Sequence, residues 1–143
     1  KDIIEKHADD FQIKEHLKKY PAQVSGGQRQ RVSILQQVLA GNNFILFDEP
    51  FSGLDVLVID RVIDLLVKVS QLHDHNTLVI VSHDIENAMA ISDTAFILAR
   101  EGEKEGATIT ETLDLAAMGL TWDREIKKDK TFQDLVDQIK HKI

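Results

Sequence analysis

The chain has 143 residues, of which 43% are hydrophobic and 29% charged, an ordinary composition for one globular domain. Its formal net charge of −7 argues against a general nucleic-acid binder, because affinity for phosphate comes mainly from lysine and arginine. It contains no cysteine and no apolar run near the roughly 20 residues that span a bilayer, so another chain would have to supply any membrane span.

The N-terminal part of the chain is predicted to be helical. Two helices share residues 1–19 with a break near Asp9–Asp10, and Pro21 ends the second. Ser25 is a good N-cap, so a third helix can open at Gly26 with its first free N–H groups pointing outward. Such a helix start carries about half a positive charge and suits a phosphate oxygen.

The middle of the chain alternates strands with helices. Continuous apolar runs predict strands at Phe44–Phe47 and Thr77–Val81, buried on both faces as in a parallel sheet, and a third strand follows at Thr94–Leu98. Two helices are predicted between these strands, at Asp55–Leu72 and at Ile85–Ile91. This alternation indicates an α/β fold with a parallel sheet.

The last forty residues show a weaker pattern. After a charged turn at 102–106, an edge strand is predicted at Ala107–Thr112, followed by a short helix at Leu113–Met118. Thr131 is predicted to cap a final amphipathic helix. We expect Trp122 to pack this tail on the core.

Polar side chains follow two of the predicted strands at the point where each strand ends. Asp48 and Glu49 come directly after the first strand, and Ser82, His83 and Asp84 come after the second. Open α/β sheets bind ligands at this end of their strands, so Asp48 and Glu49 indicate a functional site rather than a surface turn.

Four motifs in this order carry a family resemblance. They are Val24-Ser25-Gly26-Gly27-Gln28, Phe44-Ile45-Leu46-Phe47-Asp48-Glu49-Pro50, Ser52-Gly53-Leu54-Asp55 and Val79-Ile80-Val81-Ser82-His83-Asp84. The chain resembles the nucleotide-binding subunit of ABC (ATP-binding cassette) transporters over nearly its whole length. The resemblance implies the parallel sheet and helices of a RecA-like P-loop NTPase, together with the end of a helical subdomain.

The resemblance also implies ATP hydrolysis with ATP and Mg²⁺ as cofactors. Asp48 would hold Mg²⁺ through water, and Glu49 would be the catalytic glutamate that activates the attacking water. His83 would be the switch histidine, which contacts the γ-phosphate.

Two further motifs would act between subunits. In the family, ATP lies between two nucleotide-binding subunits, so Ser25, Gly26, Gly27 and Gln28 would contact, in trans, ATP held by the partner. Asp55 would be the D-loop aspartate that links the two subunits.

By the same resemblance, the chain divides into three parts. Residues 1–40 would be the end of the helical subdomain with the signature helix, 41–100 half of the RecA-like core, and 101–143 a C-terminal tail. The sequence contains no Gly-x-x-x-x-Gly-Lys-Ser/Thr loop, the Walker A motif. We therefore expect this chain to be the second half of a nucleotide-binding cassette, which would be inactive alone. Its unpaired strand edges should make it unstable or prone to pair with another chain.

The implied setting is a dimer of such subunits bound to transmembrane permease subunits at the cytoplasmic face of the membrane, without nucleic acid. The Tyr20-Pro21 lead-in and the tail favour a bacterial importer over an exporter. One alternative is half of a chromosome-maintenance or DNA-repair ATPase head, although residues 1–19 lack the sustained heptads of its coiled coil. Another is a non-catalytic module, against which the presence of Glu49 and His83 argues.

Overall fold

A computed structural model describes most of the chain as two compact units, 1–82 and 83–143, which are described in turn. The described residues are 2–72, 75–100, 102, 106–123 and 125–142. The centre of the predicted charged turn, at 103–105, lies outside them. The predicted division at residues 40 and 100 stays a prediction.

The first unit opens with one helix and two short turns. Helix α1 spans Asp2–Asp10, and single 3₁₀ turns follow at Lys14–His16 and Pro21–Gln23. The break near Asp9–Asp10 is therefore confirmed, whereas Pro21 begins a turn instead of ending a helix.

The predicted second helix, reaching Lys19, is wrong. Phe11 and Ile13 are both buried, and residues two apart cannot face the same side of a helix, so burying both requires the chain to leave the helical path. Gln12, between them, has a left-handed φ of 53°. Leu17 is largely exposed, so little apolar surface remains for a second helix to bury.

Helix α2 spans Gly26–Leu39, as predicted, and Gly41 follows it with a left-handed φ of 70°. Its inner face buries Ile34 and Leu35, together with the charged side chain of Arg31.

Arg31 joins α2 to the segment after α1. Its Nη1 donates to the carbonyl of Phe11 at 3.3 Å and its Nε to the carbonyl of Gly27 at 3.4 Å. Burial lowers the pKa of the Arg31 guanidinium, and the positive charge of Arg61 lowers it further. A lowered pKa in a base means that folding disfavours the charged form, so the two hydrogen bonds offset a desolvation cost at neutral pH.

Strands β1 (Phe44–Asp48) and β2 (Thr77–Val81) form a parallel pair, in agreement with the prediction. Helix α3, Val56–Ser70, provides the crossover that a parallel pair requires. The residues that α3 buries are Val62, Leu65, Leu66 and Val69.

The prediction that β1 and β2 are buried on both faces is wrong for this chain, because no residue of β2 is fully buried and one face of β1 is exposed. Ile45 and Phe47 point to the buried face, but Phe44 and Leu46 are 64% and 53% exposed. Because side chains alternate along a strand, these two residues share one face. In the part of the chain that the structure describes, only one face of β1 is packed.

The second unit contains an antiparallel pair with helices at its ends. Its elements are α4 (Ile85–Ala90), β3 (Thr94–Ala99), β4 (Thr108–Asp114), α5 (Leu115–Met118), a 3₁₀ turn (Ile126–Lys128) and α6 (Lys130–Lys140). β3 pairs antiparallel with β4, so the described strands form two separate two-stranded sheets. The predicted third strand, the strand after the charged turn and the short helix are confirmed.

The core of this unit is built around α6, whose predicted apolar stripe is confirmed. Phe132, Val136 and Ile139 are buried, and Leu135 packs partly against them. Leu115 of α5 joins the same cluster.

Two predictions for the tail are wrong. Asp129, not Thr131, is the N-cap of α6, because its Oδ1 accepts a hydrogen bond from the N–H of Phe132 at 3.0 Å. Trp122 is 39% exposed, and its indole N–H donates to Asp93 Oδ1 at 2.6 Å. This polar bond fixes the indole at the surface rather than in the core.

None of the helices in the described ranges is both long and apolar enough to cross a membrane.

Asp129→Ala should lower the free energy of unfolding by about 1 kcal/mol, because the first turn of α6 loses its side-chain acceptor. Thr131→Ala is the matched control, since this exposed residue lies two positions further along and caps nothing. Urea denaturation measures both variants. An equal or larger loss for Thr131→Ala would contradict the assignment of the cap.

Candidate functional site

Glu49 lies just past the end of β1 in an unusual backbone conformation. Its φ is 50°, a left-handed value that costs a non-glycine residue about 1–2 kcal/mol. Its N–H donates to the carbonyl of Val81 at 2.8 Å, and its carbonyl accepts from the N–H of Ser52 at 3.2 Å. These bonds hold the strained residue in place, as is typical of functional sites.

Asp48, Glu49 and Ser82 meet at the carboxyl end of the parallel pair. The register places Asp48 opposite Val81, so Glu49 and Ser82 both lie one residue beyond the paired strands. Ser82 Oγ donates to Glu49 Oε2 at 3.4 Å. Glu49 and Ser82 are half-buried, whereas Asp48 is exposed. The motifs predict both carboxylates but no contact of Ser82, which is separated from Glu49 by 33 positions.

The loop after Glu49 is anchored by apolar side chains. Pro50 and Phe51 are buried, a structural role that the motif alone does not predict. Gly53 turns the chain with a φ of 69° before Asp55 caps the start of α3. The anchored loop limits the movement available to the two carboxylates.

His83 is the first residue of the second unit and is exposed. Asp84, which follows it, is the N-cap of α4 and accepts from the N–H of Asn87 at 3.2 Å. The grouping of His83 with Asp48 and Glu49 stays a prediction.

Ser25 begins α2 with a capping box, which confirms its predicted role as N-cap. Its Oγ accepts from the N–H of Gln28 at 3.3 Å, and Gln28 Oε1 accepts from the N–H of Ser25 at 2.9 Å. The side chain of Gln28 therefore supports the helix start.

The other end of the Gln28 amide is also engaged. Its Nε2 donates to Nε2 of His16 at 3.0 Å, which requires that ring nitrogen to be unprotonated. His16 Nδ1 is buried and has no hydrogen-bond partner among the described residues. No motif predicts this role for His16, because twelve positions separate it from Gln28 and only the fold brings them together.

Gly27 is needed where α2 meets α3. A Cβ on Gly27 would lie 2.7 Å from Cγ1 of Val58, closer than real Cβ contacts. Val58 lies in the first turn of α3, where its N–H donates to Oδ1 of the N-cap Asp55 at 3.1 Å. The starts of the two helices are therefore in contact, which brings the Ser25–Gln28 segment close to the first turn that Asp55 caps.

The N-terminus of α2 is electrostatically favourable for an anion. Its first turn carries no acidic side chain, so the partial positive charge of the helix end is not neutralised locally. Gly26 has open space around it, since only Arg29 Nη2, at 4.0 Å, approaches a Cβ built there. A phosphate oxygen could approach the backbone here, with the Arg29 guanidinium close by.

The described residues contain no group of three or more histidine, cysteine or acidic side chains that could hold a metal ion alone. Asp48 offers an exposed carboxylate, and Mg²⁺ is commonly held by one or two carboxylates with water and phosphate oxygens at its other positions. The residues present fit Mg²⁺ bound together with a phosphate ligand.

Comparison with known proteins shows which proteins this chain is similar to. The family described as ABC transporter matches residues 1–52. The aliphatic sulfonates import ATP-binding protein SsuB 2 of Agrobacterium fabrum is 36% identical over 91 residues, which cover 64% of this chain and 34% of that protein. The nitrate transport protein NasD of Klebsiella oxytoca is 29% identical over 141 residues, covering 99% of this chain and 52% of NasD. The chain thus spans about a third to a half of these relatives' length.

A solved structure of an ABC transporter in an inward-facing conformation matches with a TM-score of 0.58 and 28% identity, covering 66% of this chain and 38% of that one. With the parallel β1–β2 pair and its helices, this likeness defines an α/β protein of the P-loop NTPase class. Within that class, the chain resembles the ATP-binding proteins of ABC transporters.

Gly27→Ala should lower the free energy of unfolding by about 1–3 kcal/mol, because the new methyl group overpacks against the stiff side chain of Val58. Gly26→Ala, with open space around it, should be neutral or slightly stabilising. Chemical denaturation of both variants measures the difference.

A second substitution tests whether the contact with Val58 causes the loss of stability in Gly27→Ala. Val58→Ala in the Gly27→Ala background should recover most of the loss attributable to the clash, as a double-mutant cycle would show. Strictly additive losses would mean that Gly27 is needed for another reason.

Proposed function

We propose that these 143 residues form the second half of an ATP-binding subunit of a bacterial importer, which hydrolyses ATP to drive transport. The observation that carries the proposal is the fixed pair of carboxylates, Asp48 and Glu49, at the carboxyl end of a parallel strand pair. The similarity to ABC transporter ATP-binding proteins supports it.

ATP hydrolysis requires the phosphate charge to be neutralised and a water molecule to be aimed at the γ-phosphorus. When bound, Mg²⁺ neutralises charge on the β- and γ-phosphates. Asp48 would hold this ion through water. Glu49 would accept a proton from the attacking water, and His83 would donate a hydrogen bond to the γ-phosphate. The backbone of Glu49 is strained and is held by two hydrogen bonds, which supports its role, because a general base must be held in position.

The segment Ser25–Gln28 would contact, in trans, ATP bound by the partner subunit. Ser25 and the N–H groups of Gly26 and Gly27 lie at the open start of α2, where a phosphate oxygen is favoured. Gln28 contributes by holding the capping box, since both ends of its amide have partners. Asp55, which caps the neighbouring helix α3, would lie at the same subunit interface.

The phosphate cradle itself would come from the rest of the subunit. The sequence has no Gly-x-x-x-x-Gly-Lys-Ser/Thr motif, and it spans at most 52% of the length of the relatives above. These residues alone would therefore be inactive. Two complete subunits would form the catalytic dimer, with ATP and Mg²⁺ bound between them.

The partners proposed are transmembrane permease subunits, which would place the protein peripherally at the cytoplasmic face of the membrane. The relatives named above are called import and transport proteins, which supports this setting over a chromosome-maintenance or DNA-repair ATPase head. Their names give different cargoes, a sulfonate and nitrate, so the proposal stops at an importer of unassigned substrate.

Glu49→Gln in the whole subunit, assembled with its permease, should lower the rate of ATP hydrolysis by on the order of 10² to 10⁴. The amide cannot take the proton from water but has nearly the same size, so ATP binding should persist. Phosphate release measures the rate, and equilibrium titration with ATP measures binding.

Glu15→Gln is the matched control, because the same chemical change at this exposed position of the first 3₁₀ turn should leave hydrolysis unchanged. Full activity of the Glu49→Gln protein would contradict the proposed function.

A further inference from the structure

We propose that Ser82 is a positioning residue that holds the carboxylate of Glu49 in its reactive orientation. This inference rests on the proposed function, because it gives Glu49 the role of general base. It adds a residue to which neither the sequence motifs nor the family resemblance assigned a role.

The geometry at the strand ends supports this assignment. Ser82 Oγ donates to Glu49 Oε2 at 3.4 Å, and the carbonyl of Val81 accepts from the N–H of Glu49 at 2.8 Å. Two consecutive residues at the end of β2 therefore hold Glu49, one through its main chain and the other through its side chain.

A glutamate side chain needs such support more than an aspartate does. It has three side-chain torsions, and fixing a side chain of this length costs up to about 2 kcal/mol of conformational entropy. The left-handed backbone of Glu49 sets where the side chain begins, and a hydroxyl donor at Oε2 limits the rotation of its far end. The carboxylate then spends more time in the orientation that accepts a proton.

The length of the hydrogen bond between Ser82 and Glu49 predicts an effect on the catalytic rate rather than on stability. At 3.4 Å it is longer than the usual 2.5–3.0 Å for a hydroxyl donor, so its contribution to stability is small. Catalytic hydrogen bonds are often long before substrate binds and shorten in the reacting complex. Removing the hydroxyl should therefore lower kcat while leaving the fold and the KM for ATP unchanged.

Three variants of the whole subunit, assembled with its permease, separate the hydroxyl from the shape of the side chain. Ser82→Ala removes the hydroxyl, Ser82→Thr keeps it, and Ser82→Val has the shape of threonine without it. We expect kcat about tenfold lower for the alanine and valine variants, equivalent to about 1.4 kcal/mol, and near the native value for threonine. KM for ATP and the melting temperature should not change.

Ser70→Ala is the matched control, because Ser70 Oγ donates to the carbonyl of Val67 at the last turn of α3. It should leave kcat unchanged. A native kcat for Ser82→Ala, or equal rates for the valine and threonine variants, would overturn the positioning role.

A double variant shows whether Ser82 acts through Glu49. In single-turnover assays, Ser82→Ala should cost nothing further in the Glu49→Gln background, because the positioned base is already absent. An equal loss in both backgrounds would overturn the inference. If Glu49→Gln alone leaves hydrolysis intact, the proposed function fails. If Glu49→Gln is inactive and Ser82→Ala is silent, only the role of Ser82 fails.

Discussion

The parallel pairing of β1 with β2 is the constraint on which the candidate site depends. Its register puts Asp48 opposite Val81, so the residues that follow the two strands, Glu49 and Ser82, emerge side by side. A slip of one residue would turn these side chains to the other face of the sheet and separate them. The buried stripe of α3 secures the register, because this helix is the crossover between the two strands.

A second, smaller contact organises the anion-binding end of the unit. Gly27 lets the first turn of α2 lie against Val58 in the first turn of α3. The capping box at Ser25 and the side chain of His16 then hold Gln28, so the helix start is rigid before any ligand arrives. Preorganised N–H groups cost little further ordering when an anion binds, which is why rigidity here serves recognition.

Local signals in the sequence were enough to predict most elements and the polar strand ends. Helical periodicity located α3, continuous apolar runs located β1 and β2, and a serine before two glycines correctly indicated the N-cap Ser25. Prediction failed where distant residues decide the structure. Burial of both Phe11 and Ile13 replaced a helix by a 3₁₀ turn, and the contacts of His16 and Ser82 join residues 12 and 33 positions apart. No pattern of local spacing contains that information.

A structure of the complete subunit with its permease, Mg²⁺ and a non-hydrolysable ATP analogue tests the central claim most directly. The account predicts that Asp48, Glu49 and His83 surround the γ-phosphate of one nucleotide. It also predicts that Ser25 and the N–H of Gly27 from the facing subunit lie within hydrogen-bond distance of that same phosphate. A γ-phosphate bound away from the carboxyl ends of β1 and β2, or a Ser25–Gln28 segment facing solvent or its own subunit's interior, would contradict it.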